Sequence, residues 1–179
     1  MNKPTTILSE EHKHILSVID ALSKERKNLE SGKELDKDFF SKAIDFIKNY
    51  ADKFHHAKEE DILFEELNKN SEEMRCNPIE QMLYEHDLGR GFVKGIEQGL
   101  KEDNIVKIIE NTRNYIQLLQ EHILKEDNIL YPMADETLSK PSQDSILELF
   151  TRAEKEKFRK GDKEKYLAIA KGFLKRHGK

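Results

Sequence analysis

The sequence predicts an all-α fold, an up-down-up-down four-helix bundle with one or two further helices at the C-terminal end. Three observations predict it. Charged residues make up 37% of the 179 residues while Gly and Pro number only 8 and 4, a balance that suits long solvated helices better than strands joined by tight turns. Apolar residues recur three and four apart along most of the chain, as on one face of a helix. The polar breaks between these stripes are short, so consecutive helices are expected to lie antiparallel. A single domain over 1–179 is expected, with the bundle core at about 7–135 and a helical extension at about 141–178.

Helix one is expected to start at Ser9, a cap followed by Glu10 and Glu11. It carries the stripe Ile15, Val18, Ile19, Leu22 and stops at Ser31-Gly32. Asp36 or Asp38 caps helix two, whose stripe Phe40, Ala43, Ile44, Ile47, Tyr50, Ala51, Phe54 continues toward Leu67. Asn77-Pro78 reads as a cap with proline in the first turn, opening helix three with Ile79, Met82, Leu83, His86, Gly89, Val93, Ile96 and Leu100. Gly91, Gly95 and Gly99 at every fourth position are expected to admit a neighbouring helix closely. Helix four has the clearest seam, Ile105, Ile108, Thr112, Tyr115, Leu119, His122, Glu126, Ile129, and Pro132 is expected to close it. Beyond Pro141, Ile146, Leu149, Phe150 and Ala153, then Tyr166, Ile169 and Phe173, suggest further helices broken near Gly161.

Several function classes are disfavoured. The formal charge is −4 and basic residues are scattered among acids, so no contiguous basic face is expected to meet a nucleic-acid backbone. The N-terminus lacks the apolar core of a secretory signal, and no stretch approaches the roughly 18 apolar residues of a membrane span. The single cysteine, Cys76, points toward a reducing compartment, with the cytoplasm as the default.

The chemistry lies in a weak internal repeat, HHAKEEDILFEEL on helix two and EHILKEDNILYPM on helix four. His55 with Glu59, and His122 with Glu126, stand four apart, so each imidazole and carboxylate project from one side of their helix. Imidazole suits iron, zinc, copper and nickel, and a carboxylate can bridge two ions. A carboxylate in the apolar seam needs a counter-charge or a hydrogen-bond partner. At about 100° per residue, His55 falls at the edge of the helix-two stripe whereas His56 points away, and Glu59 rather than Glu60 accompanies His55. The same phase places His12 on the Leu8, Ile15, Ile19, Leu22 face and His14 outside it, with His14 held as the alternative; His86 lies on the inner face of helix three. His14, His56 and His177 are expected to be solvated, and Glu60 and Asp61 to form a charged outer face. A lone histidine on an apolar face is more often a hydrogen-bonded core residue than a ligand. Four in register, two with carboxylate partners, favour a metal cage.

The blocks EEHKHIL, HHAKEEDILF, LYEHDLGR and EHILKEDNILYP, in that order, resemble the hemerythrin-like, or HHE cation-binding, family over roughly residues 7–135. The ligand pattern is most similar to the di-iron repair-of-iron-centres proteins. The resemblance implies two iron ions, oxo- or hydroxo-bridged when oxidised, with His12 and His86 as single ligands and His55 with Glu59 and His122 with Glu126 as pairs. Asp127 resembles the aspartate of oxygen-carrying hemerythrins and is the alternative to Glu126. Two departures stand out. Arg90 occupies the place of a fifth histidine four residues after His86, and the resemblance does not extend to the cysteine-bearing N-terminal segment of the repair proteins, so transfer of iron to damaged clusters is expected to be the less favoured role. Ferritin-type chemistry is disfavoured, because of its Glu-x-x-His pairs only Glu11 with His14 is present. Tyr115, one heptad before His122, reads first as core packing and second as a donor to a ligand.

The resulting expectation is a protein that binds or senses dioxygen or nitric oxide at a carboxylate-bridged di-iron centre. The alternative is a di-iron enzyme or repair factor that acts on peroxide or nitric oxide, or donates iron to damaged clusters. A structural zinc site is a third possibility, for which six ligands are too many.

Overall fold

The computed structural model describes residues 3–74 and 76–177, the last two by backbone alone. The expectation for the His177 side chain therefore lies outside the described residues. Among the described residues six long helices follow in order, α1 (Pro4–Glu30), α2 (37–69), α3 (Ile79–Lys101), α4 (105–137), α5 (Lys140–Lys157) and α6 (Asp162–His177), with one 3-10 turn, Ser71–Glu73, between α2 and α3. No strand occurs among the described residues. The all-helical bundle expected from composition and periodicity is the fold observed. Among the described residues no helix is long and apolar enough to cross a membrane.

Local chemistry sets the helix ends. α1 begins at Pro4, a turn before the expected Ser9, because proline's fixed φ suits the first turn. The Ser9 hydroxyl instead donates to Asp127 Oδ1 at 2.7 Å. Gly32, at φ 82°, supplies the left-handed residue that ends α1. Asp36 Oδ1 accepts from the Phe39 N–H at 2.9 Å and caps α2, and Asn104 Oδ1 caps α4 through the Lys107 N–H at 3.0 Å. Asn77 Oδ1 accepts from Ile79 N, the first residue of α3. Gly161, at φ 94°, separates α5 from α6.

Two helices, α2 and α4, carry π segments; α2 reaches Leu67 as expected, whereas α4 runs past its expected end at Pro132. In α2 they span Ile47–His56 and Glu59–Leu63; in α4 one spans Glu126–Leu130. Pro132 does not close α4. It lies in the first turn of a fresh α segment, Tyr131–Thr137, where its missing N–H is not needed. A π turn advances by less per residue than the roughly 100° of an α-helix, so side chains beyond it depart from the expected phase. Ile129 accordingly ends 55% exposed, and Leu83 and Ile105, at the margins of their stripes, are each 36% exposed.

Two apolar clusters flank a polar layer. The larger gathers Ile15, Ile19, Leu22, Phe40, Tyr50, Phe54, Ile96 and Leu119 with Tyr166 and Phe173 of α6. The smaller gathers Leu8, Leu63, Phe64, Met82, Leu130 and Tyr131 with Phe150 of α5. Helices α5 and α6 both pack on α1 and α2, while α3 packs chiefly on α4.

The α3 glycines differ in role. A Cβ at Gly99 would stand 2.8 Å from Ile108 Cγ1 and 3.1 Å from its backbone N, whereas one at Gly91 meets nothing within 4 Å. The close approach expected at Gly91 is therefore absent, and Gly89, beside Tyr115, faces the bundle instead. Gly99→Ala is expected to lower stability by about 1–3 kcal/mol through overpacking. Gly91→Ala is expected to raise it by about 1 kcal/mol through helix propensity. Urea denaturation of the two variants checks the opposite signs.

Candidate metal centre

The structure brings all six expected side chains, His12, His55, Glu59, His86, His122 and Glu126, into the polar layer, each no more than 2% exposed. His12, His55, Glu59 and Glu126 form one group with ligand atoms within 4.8 Å of one another, and His56, His86 and His122 form a second. Glu59 and Glu126 each open a π segment, so the local widening of the helix falls where the carboxylates enter the layer.

Every expected ligand imidazole is held from outside by a carboxylate. The Nδ1 of His12 lies 3.0 Å from Asp127, that of His55 3.0 Å from Glu11, that of His86 2.6 Å from Glu60, and that of His122 2.8 Å from Glu85. In the neutral imidazoles these acceptors select one tautomer, with the proton on Nδ1 and the Nε2 lone pair facing the centre. Lys58 donates to Glu11 and Lys125 to Glu85, completing two matching chains. The pattern follows a two-fold relation of the sequence. An acid precedes the histidine of α1 and of α3 (Glu11-His12, Glu85-His86) and contacts the histidine of the next helix. An acid follows the glutamate of α2 and of α4 (Glu59-Glu60, Glu126-Asp127) and contacts the opposite half.

The interior of this arrangement is short of positive charge. Glu59 Oε2 and both carboxylate oxygens of Glu126 are buried without a hydrogen-bond partner. Glu126 lies 3.1 Å from His122 Nε2 and 3.2 Å from His12 Nε2, close but not aligned for hydrogen bonding. The Nε2 atoms of His86 and His122 stand 2.9 Å apart, so with both Nδ1 atoms protonated two lone pairs oppose each other. Six carboxylates, Glu11, Glu59, Glu60, Glu85, Glu126 and Asp127, face three cations, Lys58, Lys125 and Arg90, and Arg90 is shared with Asp52 and Asp87. Burial, together with the neighbouring Glu126, drives Glu59 well above the ordinary carboxylate range. At Glu126 the burial penalty is outweighed by His122 and His12, which hold it well below that range. Burial depresses His12, but Asp127 and Glu126 outweigh it and lift the imidazole to about 9. The raised Glu59 and the raised His12 both express a demand for positive charge at the centre, and the donor set of imidazoles and buried carboxylates fits metal ions.

Several expectations need correction. His56 is buried, not solvated; its ring stacks on His86 with centroids 3.8 Å apart, because it closes the first π segment and has turned from the α-helical phase. Glu60 is half-buried against His86 and Arg90 rather than part of an outer face, whereas Asp61 is exposed as expected. Asp127 sits on the outer nitrogen of His12, so it positions that ring instead of facing the centre. His14 lies outside both groups, its ring edge toward Tyr50. Arg90 clamps Asp52 and Glu60 and thereby braces His86. The tyrosine that reaches the centre is Tyr131, whose hydroxyl donates to Glu59 Oε1 at 2.6 Å; Tyr115 packs in the core and beside a cavity.

A family model described as hemerythrin HHE cation binding domain matches residues 3–134. No curated protein and no solved structure matches the chain.

Proposed function

Because the chain belongs to the hemerythrin HHE cation-binding domain family, we propose that its cations are two iron ions held by His12, His55, Glu59, His86, His122 and Glu126, and that the protein binds or senses dioxygen or nitric oxide. The observation that carries the reading is the set of three buried carboxylate oxygens without partners, surrounded by four imidazoles whose Nδ1 atoms are already engaged. When bound, ferrous ions would supply the electrons for reversible capture of a diatomic molecule. The side chains do the rest. Glu11, Glu60, Glu85 and Asp127 orient the imidazoles, the carboxylates of Glu59 and Glu126 offset the ionic charge, and the flanking apolar clusters exclude bulk water. A cytoplasmic setting, expected from the single cysteine, would keep the irons reduced.

Stopped-flow mixing of the reduced, iron-loaded protein with dioxygen, nitric oxide and peroxide tests the function. A reversible adduct with a diatomic ligand is expected; sustained turnover of peroxide, without a reversible adduct, would instead assign an enzyme. Tyr131→Phe removes the hydroxyl on Glu59 and is expected to weaken iron binding by about 10–100-fold without unfolding the protein. Competition with a chelator measures this, and unchanged affinity would show the bond to be incidental.

A further inference from the structure

The two-fold relation of the centre breaks at its surroundings. A cavity of about 180 Å³ opens between α2, α3 and α4 and reaches His56, His86 and His122. None of His12, His55, Glu59 and Glu126 lines it. On the other half, Tyr131 stacks on His12 with centroids 5.5 Å apart, and α5 and α6 lie against α1 and α2. The cavity wall is mainly apolar, built from Gly89, Val93, Tyr115, Leu118 and Leu119. Two cations at its rim are paired, Lys48 with Glu97 at 2.8 Å and Arg90 with Asp52, and Lys94, the third, is exposed to solvent. The apolar wall between them favours a neutral molecule over an ion. An apolar cavity of about 150 Å³ takes up xenon or benzene, so the space is ample for a diatomic gas.

His56 stands at the inner end of this cavity in a posture unlike that of the other histidines. His12 with His55, and His86 with His122, have centroids 4.7 Å apart and ring planes tilted by 60° and 65°, which lets their Nε2 atoms converge. His56 lies nearly parallel to His86, at 13°, face on. Stacked rings do not share an in-plane ligand position.

We propose that this cavity is the entry chamber for a small uncharged diatomic ligand, that it serves the ion held by His86 and His122 rather than the one held by His12 and His55, and that His56 is its inner wall and not a metal ligand. The proposal rests on the di-iron reading above.

The test combines xenon and kinetics. Crystals of the iron-loaded protein under xenon pressure are expected to show a xenon atom beside Gly89, Val93 and Leu119; its absence would overturn the chamber. Val93→Phe fills the cavity, and Gly89→Ala is the milder second variant, since its Cβ would meet Tyr115 at an ordinary 3.6 Å. Both are expected to keep two irons per chain, with the association rate for nitric oxide falling about tenfold or more in Val93→Phe. His56→Ala enlarges the chamber and is expected to keep both irons and bind faster. An unchanged rate in iron-replete Val93→Phe would place entry elsewhere, and loss of one iron from His56→Ala would make His56 a ligand. If the wild-type chain takes up no iron, the di-iron reading fails, and xenon occupancy still decides whether the chamber exists.

Discussion

Replacing Glu126 by leucine is expected to abolish iron binding and, in the metal-free protein, to raise stability. Both oxygens of Glu126 are buried and without hydrogen-bond partners, between His12 and His122. On the proposed di-iron reading Glu126 is a ligand common to both halves, and its removal should weaken iron by more than about 100-fold, beyond the loss typical of an outer partner. In the metal-free chain both oxygens of the carboxylate are buried without a hydrogen-bond partner, and replacing an unsatisfied buried polar group by an apolar one of similar size relieves a desolvation cost of about 1–3 kcal/mol. Calorimetry should therefore find the metal-free variant melting at or above the metal-free wild type, with the order reversed once iron is added. A variant that binds iron normally, or is strongly destabilised without metal, would show that Glu126 is held by the protein alone.

The second large effect lies outside the ligands. Lys58 is 1% exposed, its ammonium against Glu11 and 3.7 Å from the centroid of the Phe54 ring. Glu11→Ala strands that cation and frees the His55 ring, and the expected loss is about 3–5 kcal/mol of stability, as for any buried pair broken on one side. Glu11→Leu combined with Lys58→Met should restore most of it. The two-fold counterpart provides an internal control, because the Lys125 side chain is 37% exposed and can turn to water when Glu85 is replaced. Glu85→Ala is expected to cost clearly less, and equal losses in urea denaturation would contradict the argument from burial.

Much of this was legible in the sequence, and the gaps have one main cause. Helical spacing located the four bundle helices and the convergence of His12, His86 and the two His/Glu pairs, because a period of 3.6 holds along α1, α3 and most of α4. It failed where α2 and α4 widen into π turns, which no single residue announces. His56, Glu60 and Pro132 were therefore misplaced together. The carboxylates behind the imidazoles were visible in principle: Glu11 and Glu85 each precede a candidate histidine, and Glu60 and Asp127 each follow a candidate glutamate. What the repeat could not reveal is which acid reaches which ring, since two of the four contacts cross between halves. Tyr131 was hidden for a similar reason, standing five residues after Glu126 across a π turn.

Anaerobic titration of the metal-free protein with ferrous iron, followed by its charge-transfer absorption after oxidation, tests the central claim most directly. A break at two irons per chain, absent from Glu59→Ala and Glu126→Ala, is the predicted result. Stoichiometric zinc in preference to iron, or a chain that remains metal-free, would contradict it.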